Sequence, residues 1–137
     1  MRELEGQTVL IVEDNLLIAM DLVEVLENAG CAVVDPCPRI ADALDDIAGK
    51  TIDAALLDVN LFGNEKVFPL MDTLLAARVP CLMITGYSPD SIPPRFRKVP
   101  LLQKPQHREE VAEMLGRLLR SHRFRIGSRR RPGPAIP

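Results

Sequence analysis

Five short apolar runs, separated by stretches of a different periodicity, constrain this chain more than any other feature. The runs occupy residues 8–12, 32–34, 54–57, 81–84 and 101–102. Each has the length of a buried strand and is too short for a helix. Their nearly uninterrupted aliphatic and β-branched character suits a parallel sheet covered on both faces. Between the runs, apolar residues recur at i, i+3, i+4 and i+7, the stripe of a helix lying on a core. Residues 15–29 place Ala19, Leu22, Val23, Leu26 and Ala29 on such a stripe, with Asn15 to cap its start and Gly30 its end. Residues 40–48 give a shorter stripe, and residues 66–77 carry Val67, Leu70, Met71, Leu74 and Leu75. Residues 107–121 carry Val111, Met114, Leu115, Leu118 and Leu119, with Glu113 one turn before Arg117. This alternation predicts an α/β fold with right-handed crossovers.

Two segments break the pattern. Pro89, Pro93, Pro94 and Pro100 punctuate the connection between the fourth and fifth strands, so a loop with at most one helical turn is expected there. After Ser121 the periodicity is lost. The chain therefore divides into a domain at 1–121 and a basic, Pro- and Gly-containing tail at 122–137, expected to be disordered. A length of 137 residues closes one core and leaves no room for a second.

Charge is distributed unevenly along the chain. Residues 1–90 carry 5 Lys and Arg against 16 Asp and Glu, whereas residues 91–137 carry 12 against 3. The overall net charge of −2 thus hides an acidic body and a basic end. The longest uncharged stretch, residues 79–89, has 11 residues and two prolines, too few and too broken to span a bilayer. Cys31, Cys37 and Cys81 form no CxxC pair, and the N-terminus is polar and acidic; reduced thiols and a cytoplasmic location are expected.

In open α/β sheets ligands bind beyond the carboxyl ends of the strands. The first run is followed by Glu13 and Asp14, the third by Asp58, the fourth by Thr85, and the fifth by Gln103, Lys104 and Pro105. Three carboxylates, a hydroxyl and an ammonium would meet at one edge. Carboxylates about 5 Å apart repel by roughly 3 kcal/mol per pair at an effective dielectric near 20. A divalent cation relieves this, and an all-oxygen site suits Mg²⁺ better than zinc or iron. His107 and His122 show no metal-ligand spacing. Mg²⁺ held by few carboxylates takes phosphate oxygens as further ligands, and Lys104 and Thr85 supply a point charge and a donor for a phosphoryl group. Asp58 is then the nucleophile that forms an aspartyl-phosphate. Taken singly, each residue has a plainer reading: Asp58 as a turn residue, Glu13-Asp14-Asn15 as a helix start, Lys104-Pro105 as a helix entry. The case rests on their falling together at successive strand ends.

The segments VLIVEDN (9–15), LLDVNL (56–61), MITGY (83–87) and LLQKP (101–105) resemble, in order and spacing, the receiver domain of bacterial two-component response regulators. The resemblance covers roughly residues 7–120. It implies a flavodoxin-like, doubly wound sheet of five parallel strands in the order 2-1-3-4-5, with helices on both faces and the fourth helix short or disrupted. It implies that Asp58 accepts a phosphoryl group from a sensor histidine kinase or phosphotransfer protein. Mg²⁺ would be bound by Asp14, Asp58 and the backbone carbonyl of Asn60, with Glu13 acting through water. Thr85 and Lys104 would contact the phosphoryl group. Phosphorylation in the family draws the threonine inward and remodels the face made by the fourth helix, fifth strand and fifth helix, which is also a candidate homodimer surface.

Some positions depart from the family pattern. Leu101 stands where many receivers carry an aromatic switch residue, and Gln106 follows Lys104-Pro105 where Phe is usual. Pro80, Thr85, Gly86 and Tyr87 match an alphaproteobacterial subgroup marked by Pro-Phe-x-Phe-Ala-Thr-Gly-Tyr, while Cys81, Met83 and Ile84 replace its Phe, Phe and Ala. In this reading Thr85 and Tyr87 form the switch, and Tyr87 couples Asp58 to the connection at 86–100. The chain carries no output module after the receiver portion, so a single-domain protein signalling to an unknown downstream protein is expected. Its only chemistry would be self-catalysed phosphotransfer and autodephosphorylation, not turnover as an enzyme.

Rival readings are a phosphate sink, a pseudo-receiver scaffold, an Mg²⁺-dependent phosphohydrolase and a nucleic-acid binder. A phosphohydrolase needs a second Asp two residues after its nucleophile as general acid, and Asn60 stands there. Residues 117–131 hold seven arginines and no acid, but only Phe124 interleaves them, which favours a solvated tail over phosphate-backbone contact.

Overall fold

In a computed structural model, which describes residues 2–61, 65–86, 89–104 and 108–129, the five apolar runs become one sheet. Its strands are β1 (Thr8–Val12), β2 (Ala32–Val33), β3 (Ala54–Asp58), β4 (Cys81–Thr85) and β5 (Leu101–Gln103). All pairings are parallel, in the order β2-β1-β3-β4-β5. The helices are α1 (Leu16–Asn28), α2 (Ile40–Gly49), α3 (Phe68–Ala76) and α4 (Arg108–Arg129). This is the doubly wound arrangement expected from the sequence.

Because strand side chains alternate between faces, the sheet builds two separate apolar layers. Leu10, Val12, Ala55, Leu57 and Met83 face α2 and α3 and pack with Ala43, Leu70, Met71 and Leu74. Val9, Ile11, Leu56, Leu82 and Ile84 face α1 and α4 and pack with Leu22, Leu26, Val111, Leu115 and Leu119. Leu4, on a 3-10 turn at Arg2–Leu4, is fully buried in this second layer, and Glu3 pairs with Arg120 of α4 at 3.2 Å.

Side-chain chemistry explains where the elements begin and end. Asn15 caps α1 by accepting from the Ile18 N–H at 3.1 Å. Gly30 follows with φ +97°, and a Cβ there would lie 2.9 Å from Glu5 Cγ, so glycine is required. Pro69 sets the start of α3, with Phe68 as its first residue rather than Lys66. Lys66 instead pairs with Asn60 in an antiparallel bridge.

The proline-rich connection after β4 holds two 3-10 turns, Pro89–Ser91 and Pro94–Phe96, where at most one turn was expected. Prolines fit the first position of each, and the second is clamped to α3. Phe96 is buried and stacks on Phe68 with ring centroids 5.4 Å apart. The Arg95 guanidinium meets Asp72 through two hydrogen bonds of 3.1 Å.

α4 also departs from expectation, running to Arg129 instead of ending near Ser121. Arginine is a good helix former, and no proline interrupts the chain before Pro132, so the backbone continues beyond the apolar stripe. Residues 130–137 of the expected disordered tail lie outside the described residues. Val25 is buried off the expected stripe of α1, whereas Leu75 is 37% exposed. No described helix is long and apolar enough to cross a membrane. All three cysteines are free and buried.

Candidate functional site

Parallel pairing aligns the carboxyl ends of the strands: Val12 lies opposite Leu57, Asp58 opposite Ile84, and Thr85 opposite Gln103. Glu13 and Asp14 leave β1, Asp58 ends β3, Thr85 ends β4, and Lys104 follows β5. Among the described residues, the buried polar or charged ones are Glu13, Asp58 and Thr85, at 3%, 5% and 0% exposure. All three stand at this one edge.

One carboxylate oxygen from each of Glu13, Asp14 and Asp58 lies within 4.8 Å of the others. Backbone donors fix two of the groups. Glu13 Oε2 accepts from the Asn15 N–H at 3.0 Å, and Asp58 Oδ1 accepts from the Asn60 N–H at 3.2 Å. The Lys104 N–H donates to the Thr85 carbonyl at 2.7 Å, which ties the ends of β4 and β5 together. Lys104 Nζ then reaches across the edge to Asp58 Oδ2 at 3.1 Å and Glu13 Oε1 at 3.5 Å. Asn60 Oδ1 accepts from Lys66 Nζ.

One ammonium faces three carboxylates, so the cluster retains excess negative charge. Burial, reinforced by the charge of Asp58, pushes the Glu13 carboxyl up to about 7, although the Asn15 N–H and Lys104 pull the other way. Burial alone would lower Lys104, but its hydrogen bond and charge attraction to Asp58, followed by Glu13, hold it above the usual lysine value. The cluster contains neither imidazole nor thiolate. A hard divalent cation fits such an oxygen-only donor set, and a thiophilic metal does not.

A family model for the response regulator receiver domain matches residues 9–116, nearly the span over which the sequence resembles receivers. The chain belongs to that family. This receiver is 43% identical to SdrG of Sphingomonas melonis Fr1, whose solution structure it matches with a TM-score of 0.73 over 85% of this chain and 98% of that one. The BeF3-activated conformation of SdrG, attributed to Pseudomonas melonis Fr1, matches at 43% identity and a TM-score of 0.72, over 84% and 98% of the two chains. The PhyR stress response regulator is 26% identical, with a TM-score of 0.75, over 88% of this chain and 48% of that one. No curated protein matches.

Of the residues singled out in the receiver's sequence, Glu13, Asp14, Asp58, Thr85 and Lys104 come together. Asn60 lies beside Asp58 through its own N–H. Tyr87 lies outside the described residues. Sequence reasoning missed Lys66, which was placed in a helix yet stands as a second ammonium near the edge, on Asn60. A signal was available: Lys66 is the sole basic residue between Lys50 and Arg78.

Proposed function

We propose that this receiver is switched by phosphorylation of Asp58, and that its donor is a phosphohistidine of a sensor kinase or phosphotransfer protein. The observation that carries this reading is the convergence of three carboxylates, two of them buried, and Lys104 on one sheet edge. A buried carboxylate with only structural duty would be neutralised by its partners. Here the charges exceed them.

An Asp58 carboxylate oxygen attacks phosphorus, the phosphorus–nitrogen bond of the donor breaks, and the imidazole nitrogen leaves with the electron pair. Asp14, Asp58 and the Asn60 carbonyl would hold Mg²⁺, with Glu13 acting through water. When bound, the ion offsets the carboxylate repulsion and the charge of the incoming phosphoryl oxygens. Lys104 pairs with Asp58 Oδ2 at 3.1 Å and, once Asp58 is phosphorylated, is positioned to pair with a phosphoryl oxygen. The Thr85 hydroxyl donates a second hydrogen bond, and its movement pulls on the connection that begins at Gly86. Tyr87, two residues on, transmits that pull to the rest of the 86–100 segment. The existence of a BeF3-activated form of the 43% identical SdrG supports a phosphate-driven switch. The protein then acts in the cytoplasm as a signalling module and not as an enzyme that turns over substrate.

The test is incubation with Mg²⁺ and acetyl phosphate, followed by intact-mass measurement of the wild type and Asp58→Ala. The wild type gains one phosphoryl group that is stable to acid and labile to base, and the variant gains none. A wild type that stays unmodified, even with histidine kinases present, would overturn the reading.

A further inference from the structure

At the end of the sheet opposite the acidic cluster lies a cavity of about 630 Å³, with Pro80, Cys81 and Pro100 at the starts of β4 and β5 in its wall. β4 is five residues long, which puts the cavity roughly 16 Å from Thr85 at about 3.3 Å per residue. Its walls are aliphatic, from Leu75, Val79, Met114 and Leu118. Its rim carries Arg78, Lys98 and Arg117, all exposed, together with His122; among the described residues no acidic one lines it, and Arg117 pairs with Glu113 beside it at 3.4 Å.

The complementary surface lies on the same molecule. α1 contains three acids and no base. Leu17 and Met20 are 82% and 53% exposed on its outer face. Asp21, Glu24 and Glu27 are exposed on that face, at helical spacing from the two aliphatic side chains. An acidic helix offering uncovered leucine and methionine thus fits an aliphatic cavity with a cationic rim. The two surfaces are built from different elements, and each copy carries one of each.

We propose that a second copy of this chain inserts the outer face of its α1 into this cavity, giving head-to-tail association. Leu17 and Met20 enter the aliphatic walls, while Asp21, Glu24 and Glu27 meet Arg78, Lys98 and Arg117. Such a contact, made once between two copies, is heterologous: the pair leaves one α1 and one cavity unused, and assembly continues past the dimer. The rim pairs are exposed, so added salt weakens the contact. It uses neither Asp58 nor Mg²⁺ and stands independently of the phosphorylation reading.

The experiment is sedimentation equilibrium of the full chain over a wide concentration range at low and high salt. The expected result is a weight-average mass that rises past that of a dimer and falls back with salt. Leu17→Glu weakens association by at least about tenfold, the loss of one buried anchor. The double variant Arg78→Glu/Lys98→Glu is monomeric alone, because its rim repels α1. Mixed one to one, these two variants form dimers and nothing longer, since only one of the two junctions survives. Both variants change exposed side chains, and circular dichroism melting checks that they fold as the wild type does. Three results would each overturn the proposal: a wild type that stays monomeric throughout, a dimer that saturates at two copies and ignores Leu17→Glu, or a mixture in which no heterodimer forms.

Discussion

Replacing Asp58 by Asn should stabilise the metal-free protein in weak base and destabilise it in weak acid. Asn keeps an acceptor for the Asn60 N–H and nearly the same volume, so the change is mainly one of charge. In weak base Glu13 is ionised, and Asp58 repels both Glu13 and Asp14. The oxygens lie within 4.8 Å of one another, so at an effective dielectric near 20 each repulsion is at least about 3.5 kcal/mol. Against this stands the attraction to Lys104 at 3.1 Å, about 5 kcal/mol on the same scale. Removing the charge therefore gains about 2 kcal/mol at about pH 8. Below 7 Glu13 takes up its proton and one repulsion vanishes, so the same substitution costs about 2 kcal/mol at about pH 5.5. For the wild type, a Glu13 pKa raised from 4.5 to about 7 means that its protonation favours the fold fully below 4.5, and that this contribution is lost as pH rises through 7. The assay is urea denaturation followed by circular dichroism, in chelator, for both proteins at both pH values. An effect of the same sign at both would refute the charge balance drawn here. Repeating the weak-base arm with Mg²⁺ should raise the wild type and leave Asp58→Asn almost unmoved.

The wild type should bind Mg²⁺ more tightly as pH rises through about 7, with up to roughly tenfold per unit below it, because the cation competes with the Glu13 proton; calorimetry in buffers of different ionisation heat reads the released proton. Phe96→Ala should cost about 3–5 kcal/mol through the lost ring contact with Phe68, whereas Arg95→Ala, which breaks an exposed pair, should cost under about 1 kcal/mol in the same denaturation assay. Asn15→Ala should cost about 1 kcal/mol through loss of the α1 cap, and faster hydrogen exchange at the Ile18 amide should accompany it. The native thiols should resist Ellman's reagent, since burial pushes Cys31 up to about 11 and Cys37 and Cys81 up to about 12.

The strands were legible because each is a short, nearly continuous apolar run, and β1 falls on its run without adjustment. β3, β4 and β5 extend one residue further, through Asp58, Thr85 and Gln103, because ladder pairing carries the backbone past the last apolar side chain, whereas β2 ends one residue short of its run, at Val33. Hydropathy does not register a buried Asp or Thr as strand, although two residues of the candidate site lie there. The site was legible for the same topological reason: parallel strands in register put their final residues side by side. Contacts set by distant pairings were not. Asp72 and Arg95 are 23 residues apart, and nothing local announces that they meet. Lys66 reads as a helix start until Pro69 and the bridge to Asn60 displace it. The length of α4 was hidden because arginines carry helical propensity without a stripe.

The two apolar layers also impose an order on synthesis. Every fully buried member of the layer under α2 and α3 lies between Leu10 and Phe96, so that side can close before the last helix exists. The other side needs Val111, Leu115 and Leu119. Until α4 has been made, α1 alone covers Val9, Ile11, Leu56, Leu82 and Ile84, and part of that face stays open to water. A nascent chain halted near Lys104 is therefore half a protein with a sticky side, and the stretch of translation between residues 104 and 119 is when this receiver most needs a chaperone.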